Sequence, residues 1–202
     1  MKFGDILLDA CNWIWRFMVL NFLWVVFMLL GGVIFGIMPS TIATFHILRK
    51  WVQGELEIPI FKTFKDVYKK EFINTNKCGV VFLAIFAFLA FDLAVLYRIE
   101  ALYSTVLYVL VMAVLFFVTM AFMYFFPTYV HFDLSNKEYI KNAFVLALSS
   151  PRQTILILIG FGLLYYIVQS NAGLIMYFFM VIPGYWVMNV AYKRFLQLQR
   201  IM

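Results

Sequence analysis

Two stretches of this chain, Phe17 to Met38 and Ser104 to Phe126, each run for more than 20 residues without a charged side chain. No other feature constrains the fold as tightly. About 20 apolar residues wound as a helix match the ~30 Å hydrocarbon slab of a bilayer. A water-soluble domain has no comparable place for so much continuous apolar surface. Three further runs follow the same rule with small exceptions. Cys78 to Tyr97 carries only Asp92, a shorter run between Arg152 and Asn171 contains Gly160 and Gly162, and the last, Ala172 to Tyr192, crosses Pro183 and Gly184. Composition agrees, with 65% hydrophobic and 13% charged residues, well away from the soluble globular average. The expected fold class is therefore all-α: a polytopic transmembrane helix bundle of about five spans.

Asp5, Asp9 and Arg16 interrupt the amino-terminal segment, so no cleavable signal peptide is expected and the first run stays in the membrane. The net charge of +6 could suit nucleic acid, but the basic residues stand beside spans, where anionic lipid headgroups are the nearer partner. With five crossings, Arg49, Lys50, Lys62, Lys65, Lys69, Lys70, Lys77, Lys137, Lys141, Arg152, Lys193, Arg194 and Arg200 share one side. Lys2, Arg16 and Arg98 fall on the other. The basic side faces the cytoplasm, which predicts a cell-membrane protein with its amino terminus outside and its carboxyl terminus inside. Cys11 and Cys78 then lie on opposite sides and do not pair, and two thiols without a C-x-x-C support no structural zinc site.

Between the first two runs, Pro39 opens a long cytoplasmic stretch. In it Phe61, Phe64, Tyr68 and Phe72 recur at helical spacing opposite Lys62, Lys65, Lys69 and Lys70. That pattern predicts an amphipathic helix in the inner interface, each lysine near the surface gaining about 1 kcal/mol from anionic lipid; packing against the rest of the protein is the competing reading. Arg49 and Lys50 join the same headgroup-contacting or partner-contacting set. After the third run the plan repeats: Pro127, then Ser135 with Glu138 three positions on as a capping box, then a helix with Tyr139, Ile140, Ala143, Phe144, Ala147 and Leu148 on one face, ended by Pro151. One membrane domain, 1–202, is expected. It carries a weak parallel internal repeat whose halves are 1–98 and 99–171, followed by an extra span and cytoplasmic tail over 172–202. At the amino terminus Phe3, Ile6, Leu7, Ala10, Trp13 and Ile14 form one more helical stripe.

The runs Gly36-Ile37-Met38-Pro39-Ser40-Thr41, Arg49-Lys50-Trp51, Ile58 to Phe64, Tyr68 to Phe72 and Asn74 to Asn76 resemble the signature of the YesL-like family of bacterial membrane proteins. Asp92-Leu93, Phe126-Pro127 and His131-Phe132-Asp133 extend the resemblance along nearly the whole chain. Members of that family are often encoded beside genes for sugar uptake and plant-polysaccharide breakdown in Gram-positive bacteria. The resemblance thus implies a role accessory to, or regulating, carbohydrate uptake, with a sugar-transport component as a partner. It carries over no catalytic or binding residues.

On the chain's own residues, Asp92 is the sharpest feature, since a carboxylate inside a span usually faces a bundle interior or a hydrated cavity. It is either a protonatable or cation-binding group or a buried partner for a polar side chain such as Asn21, Asn189 or Tyr185. His46 and His131 each follow a proline at helical spacing. Packed halves could bring both imidazoles toward Asp133 as a metal or proton site, and the plainer alternative is that each histidine is simply interfacial. Pro183 and Gly184 are expected to kink or break the last helix and free backbone carbonyls. The chain has no H-E-x-x-H, Walker loop, G-x-G-x-x-G or G-x-S-x-G, so an enzyme is not expected, nor is a cofactor or bound metal. The alternative function from another class is a small-solute or ion carrier built on Asp92 and the broken last helix.

Overall fold

The computed structural model describes residues 3–99, 102–170 and 180–199. Seven helices make up the described chain: α1 Phe3–Leu30, α2 Ile34–Val52, α3 Ile60–Tyr97, α4 Leu102–His131, α5 Asn136–Ser149, α6 Pro151–Ser170 and α7 Val181–Gln199. Among the described residues, four stretches are long and apolar enough to cross a bilayer: Gly4–Leu30, Ile60–Tyr97, Tyr103–His131 and Pro151–Gln169. Their outward faces carry Phe22, Leu83, Phe88, Phe91, Val109, Leu110, Ile155 and Leu163, all exposed. A surface this greasy needs a lipid solvent. The part of the expected fifth span over 172–179, and the charges of Lys2 and Arg200, lie outside the described residues.

The first apolar run is not one helix. Gly31, Gly32 and Val33 turn the chain back, with Gly32 at φ 71° and Val33 at φ 62°. The Ile34 N–H bonds the Gly32 carbonyl at 2.8 Å, closing a γ-turn of the rare, strained hand around a β-branched residue. Glycine makes the reversal possible in a second way, because a Cβ on Gly36 would land on the Met28 carbonyl. The backbones of α1 and α2 therefore meet directly, and the pair continues as an antiparallel hairpin. The Trp24 indole donates to the Thr41 hydroxyl at 3.1 Å, and Trp13 meets Trp51 edge to face at 5.9 Å.

Pro39, expected to end a span, lies inside α2. That helix sits at the centre, packed by α1, α3, α4 and α7, and buries Ser40, Thr41 and Thr44 together with Ile42, Phe45, Ile47 and Leu48. A helix shielded from lipid by its neighbours need not be apolar all round, which explains why hydropathy does not single it out. The core runs through both halves of the chain: Phe45 stacks on Phe126 at 5.3 Å, and Phe82 meets Phe122, Phe125 and Phe144.

The separate interfacial helix expected around Phe61 to Phe72 is instead the beginning of α3, which runs unbroken for 38 residues into the second apolar run. In the second half, by contrast, α5 and α6 are separate, divided at Ser150 ahead of Pro151, so the two halves do not share helix boundaries. The capping box forms as its sequence suggests. The Ser135 backbone N–H donates to the Glu138 carboxylate at 2.9 Å, and Tyr139, Ala143, Leu146 and Ala147 are buried, although Leu148 points outward.

The packing of the last helix sets the two ends of the bundle relative to one another. Five crossings would set the chain ends on opposite sides. Here α7 runs antiparallel to α1, Tyr185 meeting Trp13 and Phe17, and the Met180 N–H donating to the Asn21 side-chain oxygen at 3.2 Å. The start of α1 and the end of α7 thus lie at the same end of the bundle. At Gly31 to Val33 the chain doubles back, so that α2 returns along α1 where an uninterrupted span would continue onward.

Candidate functional site

Four helix ends converge beside that shared end. The Arg49 guanidinium on α2 donates through Nη1 to the Val130 carbonyl of α4 at 2.6 Å. His131 closes α4, its ring stacked on Phe195 of α7 at 4.7 Å and edge-on to Tyr192. Against these pack the amino-terminal half of α3 and the start of α5. A cavity of about 460 Å³ opens between them, lined on the α2 side by His46 and Arg49 and on the α3 side by Lys70, Glu71 and Asn74. Tyr129, His131, Asp133, Asn136 and Tyr139 complete its polar wall.

Local sequence places each of these groups. Phe64, Tyr68, Thr75, Cys78 and Phe82 form the buried stripe of α3, and Glu71 falls within that stripe while Lys62, Lys65 and Lys69 point outward. The half-buried carboxylate has two partners: the Tyr129 hydroxyl donates to Glu71 Oε2 at 2.7 Å, and the Lys70 ammonium lies 3.7 Å from Oε1. Tyr129 stacks on Tyr139 at 4.3 Å. The Tyr139 hydroxyl donates to the Phe132 carbonyl at 3.0 Å and accepts the Leu134 N–H at 3.1 Å, so one phenol pins the loop that carries Asp133. Burial pushes the Tyr139 phenol up from its ordinary pKa, which keeps it protonated as a donor. At the exposed start of α5, the backbone and then the side-chain hydrogen bond from Ser135 hold the Glu138 carboxyl below its usual range.

His46, far in sequence from His131 and Asp133, lines the same cavity as they do. No group of three or more His, Cys, Asp or Glu side chains able to hold a metal ion occurs among the described residues, so they are not assembled as a ligand set. Asp92 stands elsewhere, half-buried on α3 and roughly 27 Å of helix rise beyond Asn74. Of the partners expected for it, Asn21 accepts from the Met180 backbone and Tyr185 packs on Trp13 and Phe17. Pro183 and Gly184 occupy the first turn of α7, where a proline sacrifices no helical hydrogen bond, and Gly184 lets α7 approach Leu48 and Phe45. Within the basic set, Lys50 pairs with Glu55 at 3.5 Å, and Arg49 turns inward. Both cysteines are free, Cys11 exposed and Cys78 buried.

Glu71, Asn74, Tyr129 and Tyr139 are site residues that sequence reasoning missed. The available signal was Glu71 itself, an acid in register with the apolar stripe of an amphipathic helix. A second cavity of about 500 Å³, between the start of α2 and α3, is lined almost wholly by apolar side chains. Its one amide, Asn76, already donates to the Phe35 and Phe72 carbonyls.

Residues 17–93 match the family described as "Protein of unknown function, DUF624". The chain is 34% identical to "Uncharacterized protein YteU" of Bacillus subtilis (strain 168) over 96% of its own length and 87% of the relative's. With "Uncharacterized protein YesV" of the same organism the identity is 36%, over 95% and 92% respectively. "Uncharacterized protein YesL", also of Bacillus subtilis, is 32% identical over 74% and 70%. No solved structure matches the chain significantly.

Proposed function

The chain belongs to the DUF624 family, and on that footing we propose that it is a non-enzymatic, multi-pass protein of the cell membrane that assists or regulates carbohydrate uptake. In this reading both chain ends and the polar cavity face the cytoplasm. The distribution of cations supports that orientation: Arg16, Arg49, Lys50, Lys193 and Arg194 gather where the four helix ends converge, whereas Arg98 closes α3 at its other end. The excess of Lys and Arg marks the cytoplasmic side. Exposed Lys62, Lys65 and Lys69 then meet anionic headgroups or a partner's acidic surface.

The observation that carries the reading is the cavity itself, a polar, mostly preformed recess where helices of both halves meet, which is where helix bundles usually place ligand sites. The carbohydrate element rests on the family resemblance alone. Deleting the gene should impair growth on at least one oligosaccharide, and crosslinking through Lys65 or Lys69 should recover a transporter component. Unchanged growth on every oligosaccharide together with no such crosslink would sink it.

A second reading, a carrier for a small solute or ion, draws on the buried Ser40, Thr41 and Thr44 of the central helix α2 and on Asp92. Purified protein in liposomes would then dissipate a sugar, proton or metal-ion gradient, and Asp92→Asn would slow that flux. No flux above protein-free vesicles would end this alternative.

A further inference from the structure

The cavity has an unspent hydrogen-bond donor in its wall. Arg49 gives Nη1 to the Val130 carbonyl, but its Nε is buried without an acceptor among the described residues. Neither the Lys50–Glu55 nor the Lys70–Glu71 ion pair involves it. His131 Nδ1 is buried and unpartnered in the same way. The acids lining the cavity do not answer Arg49, since Glu71 is taken by Tyr129 and Lys70 and Asp133 stands exposed on the loop after α4. A buried guanidinium N–H left without an acceptor is a poorly satisfied arrangement. The group that satisfies a guanidinium best is an oxyanion, which can take two of its N–H bonds together. Asn74, Asn136 and Lys70 offer further donors around the same space, and its volume exceeds that of a bare oxyanion.

We propose that this cavity is a receptor for the phosphate group of a small polar molecule, held by Arg49 with His131 and the α3 donors. The inference rests on the cavity being the working site and adds the chemistry of what enters it. The same phosphate can arrive on a phospholipid headgroup, because the neighbouring Lys62, Lys65 and Lys69 project outward, or on a soluble ester. sn-Glycerol 3-phosphate represents both.

The full chain in phosphatidylcholine nanodiscs is titrated calorimetrically with sn-glycerol 3-phosphate, inorganic phosphate and glycerol. Native mass spectrometry counts lipids retained when phosphatidylglycerol is included. A soluble source gives binding of the phosphate ester. A headgroup source gives retained phosphatidylglycerol instead, and glycerol binds in neither case. Because Arg49 also ties α2 to α4, the test leans on exposed Asn74 and Asp133. Asn74→Asp, placing a like charge beside the ligand, should weaken binding about tenfold, and Asp133→Asn should tighten it about threefold. Arg49→Lys should keep part of the affinity that Arg49→Gln loses. Neither source binding, or affinities unmoved by both Asn74→Asp and Asp133→Asn, overturns the proposal. The growth and crosslinking assays read the accessory role independently, so the two ideas fail separately.

Discussion

Replacing Gly36 by alanine sets two effects of opposite sign against each other. On helix propensity alone the change should stabilise, by at most about 1 kcal/mol near a helix start. The structure argues for the reverse, because the added Cβ would fall on the carbonyl and Cα of Met28, and backbone atoms cannot swing aside as a side-chain tip can. The α1–α2 hairpin has to open by roughly 1 Å to accept it, stretching the 3.1 Å bond from Trp24 to Thr41, and overpacking of this kind costs about 1–3 kcal/mol. The net expectation is a loss of up to about 2 kcal/mol, or a fall in Tm of roughly 2–4 °C for each kcal/mol in a chain of this size. Gly36→Val should fall further. Gly162→Ala supplies the control: on α6 a Cβ meets nothing within 4 Å, so its stability should hold or rise. A thiol-reactive dye reports unfolding in detergent through buried Cys78, with exposed Cys11 replaced by serine. A Gly36→Ala protein melting at or above the wild-type temperature would refute the direct backbone contact between α1 and α2.

Two further outcomes test the site. Tyr129→Phe removes the donor at 2.7 Å from Glu71 and leaves a half-buried carboxylate short of a partner, so the same melting assay should show a loss of about 1.5–3 kcal/mol; an unchanged melt would mean the bond contributes nothing. Because the Ser135 hydrogen bonds hold the Glu138 carboxyl below its unfolded-state pKa, the stability it lends is present above that unfolded value and is lost as pH falls through the folded one. Glu138→Gln should therefore melt below wild type at pH 7, with the gap closing as the carboxylate range is crossed; a gap that widens in acid would reverse the sign.

What the sequence disclosed was whatever is encoded locally. Ser135 and Glu138 specify the start of α5 within four residues, and apolar runs of bilayer length specify the lipid-facing helices. The reversal at Gly31 to Val33 was hidden because its residues are as apolar as their neighbours, and a hydropathy window averages over a turn that depends on close backbone approach. Ending a span at Pro39 failed for the opposite reason: buried without a break from Met38 to Phe45, α2 tolerates both the proline and its hydroxyls. The site was half legible. His46, His131 and Asp133 could be suspected from their offsets after two prolines, whereas Tyr129, Tyr139 and Glu71 meet only when α3, α4 and α5 have packed, and no local spacing records that. Asp92 drew attention as the one charge in its run, yet it lies far along α3 from the cavity.

The central claim, that the chain begins and ends on the cytoplasmic side with the cavity between, is tested most directly by a membrane-impermeant maleimide on intact cells. Cys11 near the start of α1 and a Lys193→Cys substitution near the end of α7 would be probed singly, each in a Cys78→Ala background. The account requires both to stay unlabelled until the membrane is permeabilised and then to react together. Labelling of Cys11 from outside while position 193 remains protected would contradict it.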